Sequence, residues 1–349
     1  MFLPYSIVNP LMRIEVVRSL SLPGQIIVHE NEVVEPLQIV AEMTAPPAFR
    51  IINVARKLGV SPQKAKRYLT VKVGAALSKG DVMASRGGWG GHVCQAPFDG
   101  TVTGYGRGRF LFEAQPRRVQ LSALVPGRVA RVWPDEQLAI QTQGAFIQGA
   151  WGNGKENYGV IKLVVRSARH ALRAKRLDAS AQGAIVVGGT GLDEEALEQA
   201  LEMRVGGIIV GGVPVNLLPR LHEVDFPVLA TEGVGKIPMS AAVFKLLHSL
   251  DGREAAVSGQ LRTGRESVRP YIVIPMPSDT GAQIHPETPL EVGSRVRALR
   301  QPYLGMSGTV VNLPQGPRSL KTGARLPGAE VDFDGETIFL PFANLELLL

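Results

Sequence analysis

The chain has one cysteine, Cys94, in 349 residues. A single thiol excludes an intramolecular disulfide and a cysteine-rich zinc site, and it suits a reducing compartment. The six histidines are scattered without H-x-x-x-H spacing, which speaks against a histidine-based metal site. No run approaches the roughly 18 consecutive apolar residues that cross a bilayer. The leading segment MFLPYSIVNPLMRIEVV is apolar but broken by Pro4, Asn9, Pro10 and Arg13. It has neither a basic start nor a small-residue cleavage site, so it does not read as a signal peptide. The expectation is therefore a cytoplasmic protein with no membrane insertion and no bound cofactor.

What is present is turn-rich and basic. Hydrophobic residues make up 45% and charged residues 20% of the chain, as in soluble globular proteins. The 39 glycines and 25 prolines favour β modules joined by tight turns. The length predicts two to four domains. The 38 basic residues outnumber the 31 acidic ones, for a net charge of +7. That excess favours anionic partners such as nucleic acid or ribonucleoprotein, alongside protein partners.

Residues 1–68 read as short strands, a break at Pro46-Pro47, and then one or two helices. Within them, residues 54–69 resemble a helix-turn-helix. Ala55 and Leu58 pack the first helix, Gly59 supplies the turn, Ser61 caps the second helix, and Pro62 occupies its first position. Ala65 and Leu69 face inward and leave Gln63, Lys64, Lys66 and Arg67 outward. Lys64, Lys66 and Arg67 are the candidate contacts of a DNA-reading helix.

Residues 69–165 open with VKVGAALSKGDVMA, SRGGWGGHVC and QAPFDGTV, short strands separated by turns at Gly74, Gly80-Asp81 and Asp99-Gly100. This resembles the biotinyl/lipoyl-like barrel-sandwich hybrid, in the version found in electron-transport complexes. Carriers of that fold bear a modifiable lysine on a hairpin tip. The corresponding tip here is Arg86-Gly87-Gly88-Trp89-Gly90-Gly91, so the resemblance implies the barrel without the swinging cofactor. Val125-Pro126-Gly127-Arg128-Val129 begins a second, weaker half, and Trp151-Gly152-Asn153-Gly154 reads as a loop. Cys94, two residues from His92, reads as a small core residue.

Residues 166–258 change to an α/β pattern. The segment RSARHALRAKRL over 166–177 reads as an exposed basic helix or linker. Apolar strands at 184–187, 207–210, 227–230 and 253–258 then alternate with helices at 193–203, 215–221 and 238–249. Such strands imply a small Rossmann-like parallel sheet covered on both faces. Ligands of these sheets bind at the carboxyl ends of the strands. The candidate binding residues are accordingly Gly188, Gly189 and Gly191 in the first loop and Gly211 and Gly212 in the second. Thr231, Glu232, Gly233, Gly235, Lys236 and Ser240 represent the third. The first loop looks like a phosphate cradle, but Asp193, Glu194 and Glu195 follow it and would repel an anion. The third loop lacks P-loop spacing, and Lys236 makes it the better candidate. A Ser240–Lys236 nucleophile–base pair is the only catalytic alternative there, and no catalytic residue is assigned.

Residues 259–289 read as a Pro-rich linker. Residues 290–349 resemble a KOW-type SH3-like barrel through Glu291-Val292-Gly293-Ser294-Arg295-Val296-Arg297 and Tyr303-Leu304-Gly305-Met306-Ser307-Gly308-Thr309-Val310, with Gly305 and Gly308 expected at positive φ. The resemblance implies contact with RNA, ribosome or polymerase, and Arg295, Arg297 and Arg300 are the candidate nucleic-acid contacts. The whole is a multi-domain chain of mixed α/β and all-β parts. It reads first as a non-enzymatic adaptor for a nucleic-acid-containing or protein machine. A small-ligand or anion sensor or enzyme built on the α/β part is the second reading, and a DNA-binding regulator the third.

Overall fold

Strand accounts for 47% of the chain and helix for 15% in the computed structural model, and no sheet closes into a barrel among the described residues. Residues 5–87, 91–262, 268–276, 289–320 and 323–348 are described. Gly88–Gly90 of the expected hairpin tip lie outside them.

An eleven-stranded sheet organises the centre. Its parallel part runs Glu156–Leu163, Ile185–Val187, Gly207–Val213 and Val228–Val234, in that spatial order. Every residue of Ile185–Val187 and Gly207–Val213 is buried, as the apolar runs require of a sheet covered on both faces. Alternate side chains go to opposite sides. Val186, Ile208 and Val210 meet Leu197 and Ala200 of helix Glu194–Glu202 and Leu221 of Leu218–Glu223. Ile185, Val187 and Ile209 meet Val243 and Leu247 of helix Ala241–Ser249. Burying one such leucine stabilises by about 1.5–3 kcal/mol, which is how short helices hold their places.

The α/β boundary differs from the sequence expectation in three places. The first parallel strand is Glu156–Leu163, upstream of the expected start, and Trp151–Gly152 is a short strand paired with Val228–Val234 rather than a loop. Glu254–Ser258 joins on the other side of Glu156–Leu163, and antiparallel. Third, the supposed linker contains Tyr271–Pro275, a strand lying between Glu254–Ser258 and Gln137–Gln148 with Ile272, Val273 and Ile274 fully buried. Pro270 precedes this apolar run and Pro275 ends it. Residues 277–288 of that stretch lie outside the described residues.

The sheet continues through Gln137–Gln148 into Gly127–Trp133 and Val33–Val34, with Val8–Ser19 also paired to Gln137–Gln148. Residues 69–165 are thus divided. Phe49–Asn53, Arg109–Ala114, Gly100–Gly106 and Ala76–Leu77 form a separate four-stranded sheet. Hairpin Val82–Arg86/His92–Gln95 packs with that sheet around Met83, Cys94, Phe110 and Phe112. Cys94 is a buried core residue and His92 is exposed.

The last sheet is open and six-stranded, in the order Tyr5–Ser6, Leu345–Leu348, Arg295–Ala298, Ser307–Asn312, Gly328–Phe333 and Glu336–Pro341. Gly305 has φ 81°, as expected. Gly308 does not adopt positive φ; a Cβ there would lie 2.5 Å from Asp332 O, so close strand approach is what requires glycine.

Candidate anion-binding site

The three glycine-bearing segments meet at the carboxyl edge of the parallel sheet. Gly211 and Gly212 lie within strand Gly207–Val213, and Thr231, Glu232 and Gly233 within Val228–Val234, rather than in loops. The glycines serve packing rather than anion capture. Gly188 N donates to Ile209 O at 2.8 Å, Gly189 N to His170 O at 3.0 Å, Gly211 N to Gly189 O at 2.7 Å and Gly212 N to Thr190 O at 3.1 Å. A phosphate cradle needs free N–H groups, and these donors are already engaged. Gly189 and Gly211 are required sterically: a Cβ would fall 2.4 Å from His170 O at the first and 2.3 Å from Met239 N at the second. Gly191 contributes its carbonyl, which accepts from Leu172 N at 2.7 Å. Gly233 and Gly235 adopt φ 129° and 130°, which suits glycine.

This tight packing draws residues 167–177 across the strand ends. Leu172 and Leu177 anchor the segment in the core beside Leu192 and Leu197. Only Ala174–Arg176 forms a 3₁₀ turn, so the basic stretch is neither a helix nor a free linker. Arg169, His170, Arg173, Lys175 and Arg176 thereby join Lys236 and Thr190 around one pocket of ≈ 310 Å³. Among the described residues, Arg169, Lys175, Arg176 and Lys236 form no ion pair. Five cationic side chains and an imidazole thus line one cavity, with Arg173 the one of them paired to a carboxylate among the described residues.

Of the three acids that threaten this site in the sequence, one pairs with a pocket cation, one pairs away from the pocket and one faces solvent. Asp193 caps its helix by accepting from Ala196 N at 2.9 Å, and it pairs with Arg173. Glu194 pairs with Arg220 at 2.7 Å, as does Glu198. Glu195 points to solvent in the first helical turn, where a carboxylate suits the positive helix end. Pairing with Arg220 removes Glu194 from the objection drawn from sequence, while Asp193 offsets the charge of Arg173.

Glu232 is not a ligand group. Its side chain is 2% exposed and pairs with Arg297, itself 5% exposed. Glu232 Oε1 accepts from Ser240 N at 2.9 Å and from the Thr231 hydroxyl at 3.3 Å. Arg297 Nε donates to Glu346 at 3.1 Å, and Glu346 also accepts from Ser6 Oγ at 2.6 Å and pairs with Arg269 at 3.1 Å. Burial alone would push the Glu346 carboxyl up; Arg297, Ser6 and Arg269 overcome that and hold it below the ordinary carboxylate range. Arg297 is therefore a buried clasp between the α/β sheet and the C-terminal sheet, and the expectation that it contacts nucleic acid is corrected. Arg295 and Arg300 remain exposed.

The remaining candidates separate. Ser240 is 5% exposed and begins helix Ala241–Ser249 in the adjoining groove, while Lys236 is in the pocket; no hydrogen bond joins them among the described residues. Lys64, Lys66 and Arg67 are exposed outside this pocket, on Pro62–Ala65 and the 3₁₀ turn Lys66–Tyr68 that follows it. Gly59 makes the turn at φ 63°, but Ser61 forms no side-chain cap. The second helix is a single α turn, Pro62–Ala65, that continues as the 3₁₀ turn Lys66–Tyr68. Sequence reasoning misses the cations at 169–176 as site residues. Their signal is the density of basic residues immediately before the first glycine loop.

Among the described residues, no three histidine, cysteine or acidic side chains are grouped to hold a metal, and no helix is long and apolar enough to cross a membrane. Neither a family model nor a curated protein matches the chain.

Proposed function

We propose that this chain is a non-enzymatic binding protein that captures a phosphate-bearing anion at the carboxyl edge of its parallel sheet. The observation carrying the proposal is the convergence of Arg169, His170, Arg173, Lys175, Arg176 and Lys236 on one pocket. Guanidinium forks match phosphate oxygens two at a time, and ammonium groups add point charge. This set supplies binding more readily than chemistry. The lone buried thiol suits a cytoplasmic setting.

The test is calorimetric titration of the full chain with inorganic phosphate and tripolyphosphate. Losing one charge-assisted contact costs about 1.5–3 kcal/mol when buried. At this open site Lys236→Ala or Arg176→Ala is expected to weaken tripolyphosphate binding about tenfold, less at high salt. Saturable binding insensitive to both substitutions would sink the proposal.

A second reading, an adaptor for a nucleic-acid-containing machine, is favoured by the exposed cations Arg295 and Arg300 in the C-terminal part. Under it, the parts resembling a barrel-sandwich hybrid and a KOW-type barrel serve as docking modules. Recovery of ribosomal or polymerase components with the chain, lost on nuclease treatment, would favour it. A nuclease-insensitive partner set would count against it.

A further inference from the structure

The phosphate pocket has a neighbour of a different character. Arg169 lines both the pocket and a groove of ≈ 500 Å³, and Lys236 and Pro238, two residues apart, lie one in each. The groove runs where the start of helix Ala241–Ser249 meets the C-terminal sheet. Pro238, Met239, Leu304 and Met306 give it an apolar wall, with Met306 43% exposed. Lys245 and Arg295 add positive charge, against one carboxylate in the lining, Asp334.

The groove also carries unused donors. Ser240 lines it while only 5% exposed, and its hydroxyl neither caps the helix nor meets another partner among the described residues. Ala241 and Ala242 also line the groove, and their N–H groups precede the first helical bond, Phe244 N to Ser240 O at 2.9 Å. Ser307 Oγ, buried behind the same lining, has no hydrogen-bond partner among the described residues.

The pocket is charge with little apolar wall; the groove is apolar wall with hydrogen-bond donors. One ligand satisfies both if it has an anionic end and a flat, partly apolar body. We infer that the anion is an organic phosphate of the nucleoside di- or triphosphate class, with its phosphates among Arg169, Lys175, Arg176 and Lys236. Its body lies against Met306 and Leu304, and its polar edge meets Ser240 and the helix N–H groups. This rests on the phosphate pocket proposed above. Both cavities fall within the size of small-molecule sites, about 300–1,000 Å³. The α/β sheet supplies one side of the groove and the C-terminal sheet the other, so the bound ligand would tie the two together.

The test compares ATP with tripolyphosphate by calorimetry on the full chain at one ionic strength. The wild type is expected to hold ATP about tenfold tighter, the gain from placing an apolar body in the groove. Met306→Ser, which removes the wall, and Ala241→Trp, which fills the groove from an exposed position at the helix start, should each bring the ratio of the two affinities toward one. Lys236→Ala should weaken both probes together. Equal wild-type affinities, or an ATP preference untouched by both groove substitutions, would overturn the inference while leaving the phosphate pocket standing. Loss of the ATP preference in the groove variants with no effect of Lys236→Ala would instead overturn the phosphate pocket, and the bridged ligand with it. Failure of the wild type to bind either probe would overturn both.

Discussion

Replacing Arg297 by alanine would leave two buried carboxylates without the cation between them. Glu232 and Glu346 have side chains 2% and 6% exposed. Glu346 would retain Ser6 and Arg269, but Glu232 would keep only the Ser240 amide and the Thr231 hydroxyl. Breaking a buried ion pair from one side costs about 3–5 kcal/mol, because the surviving charge stays desolvated. Near the melting temperature that corresponds to roughly 2–4 °C per kcal/mol for domains of 150–250 residues, so Arg297→Ala should lower Tm by about 6–20 °C. The assay is urea and thermal unfolding followed by tryptophan fluorescence. Trp133 and Trp151 report on the large sheet. The triple variant Arg297→Met, Glu232→Gln, Glu346→Gln should recover part of the loss, since it leaves no charge at the three buried positions, although Arg269 gives up its pair with Glu346. A loss for Arg297→Ala under about 1 kcal/mol, the value of an exposed pair, would refute the buried clasp.

Three further outcomes follow from the same geometry. Because the Glu346 carboxyl titrates lower in the folded chain than in the unfolded one, its stabilisation is in place above the unfolded value of about 4.3 and is lost as pH falls through the lowered folded value. The urea midpoints of the wild type and Glu346→Gln should therefore differ near neutrality and converge in acid; a constant gap would contradict this. Gly211→Ala puts a Cβ 2.3 Å from Met239 N and 2.4 Å from Ile237 O, both backbone atoms. It should destabilise by about 1–3 kcal/mol and weaken phosphate binding by moving the Lys236 loop, whereas a neutral effect in both assays would show that the loops are loosely packed. Cys94 is fully buried and burial pushes its thiol up, so a thiol reagent should label it only in denaturant; fast labelling of the native chain would contradict the core assignment.

Local signals are legible in the sequence wherever a residue's fate depends on its near neighbours. The apolar runs at 184–187 and 207–210 mark buried parallel strands, Asp193 marks a helix start, and Gly59 marks a turn. Each of these is settled within a few residues by side-chain period, capping or positive φ. Lys236 stands out as a candidate because it lies in the turn between strand Val228–Val234 and helix Ala241–Ser249. The glycines are recognisable as important, but they act by close packing rather than by offering free amides.

Tertiary structure alone decided the rest, because the partner in each case is distant in sequence. Glu156–Leu163 joins the parallel sheet only because Ile185–Val187 and Glu254–Ser258 pair on either side of it. Tyr271–Pro275 looks like a linker because its prolines are visible locally and its two strand neighbours are not. Arg297 has the composition of a surface cation, and only the facing carboxylates, 65 residues before it and 49 after, make its burial tolerable. The amides of Gly188, Gly189, Gly211 and Gly212 would be free in an isolated loop, but carbonyls from other loops and strands consume them. The basic segment at 166–177 lines a cavity for the same reason: two leucines pin it to the core, and the strand ends determine which way its charges converge. Sequence determines which groups are apolar, charged or conformationally free. Which of them meet is fixed by long-range pairing, and in this chain the candidate site is made almost entirely of such meetings.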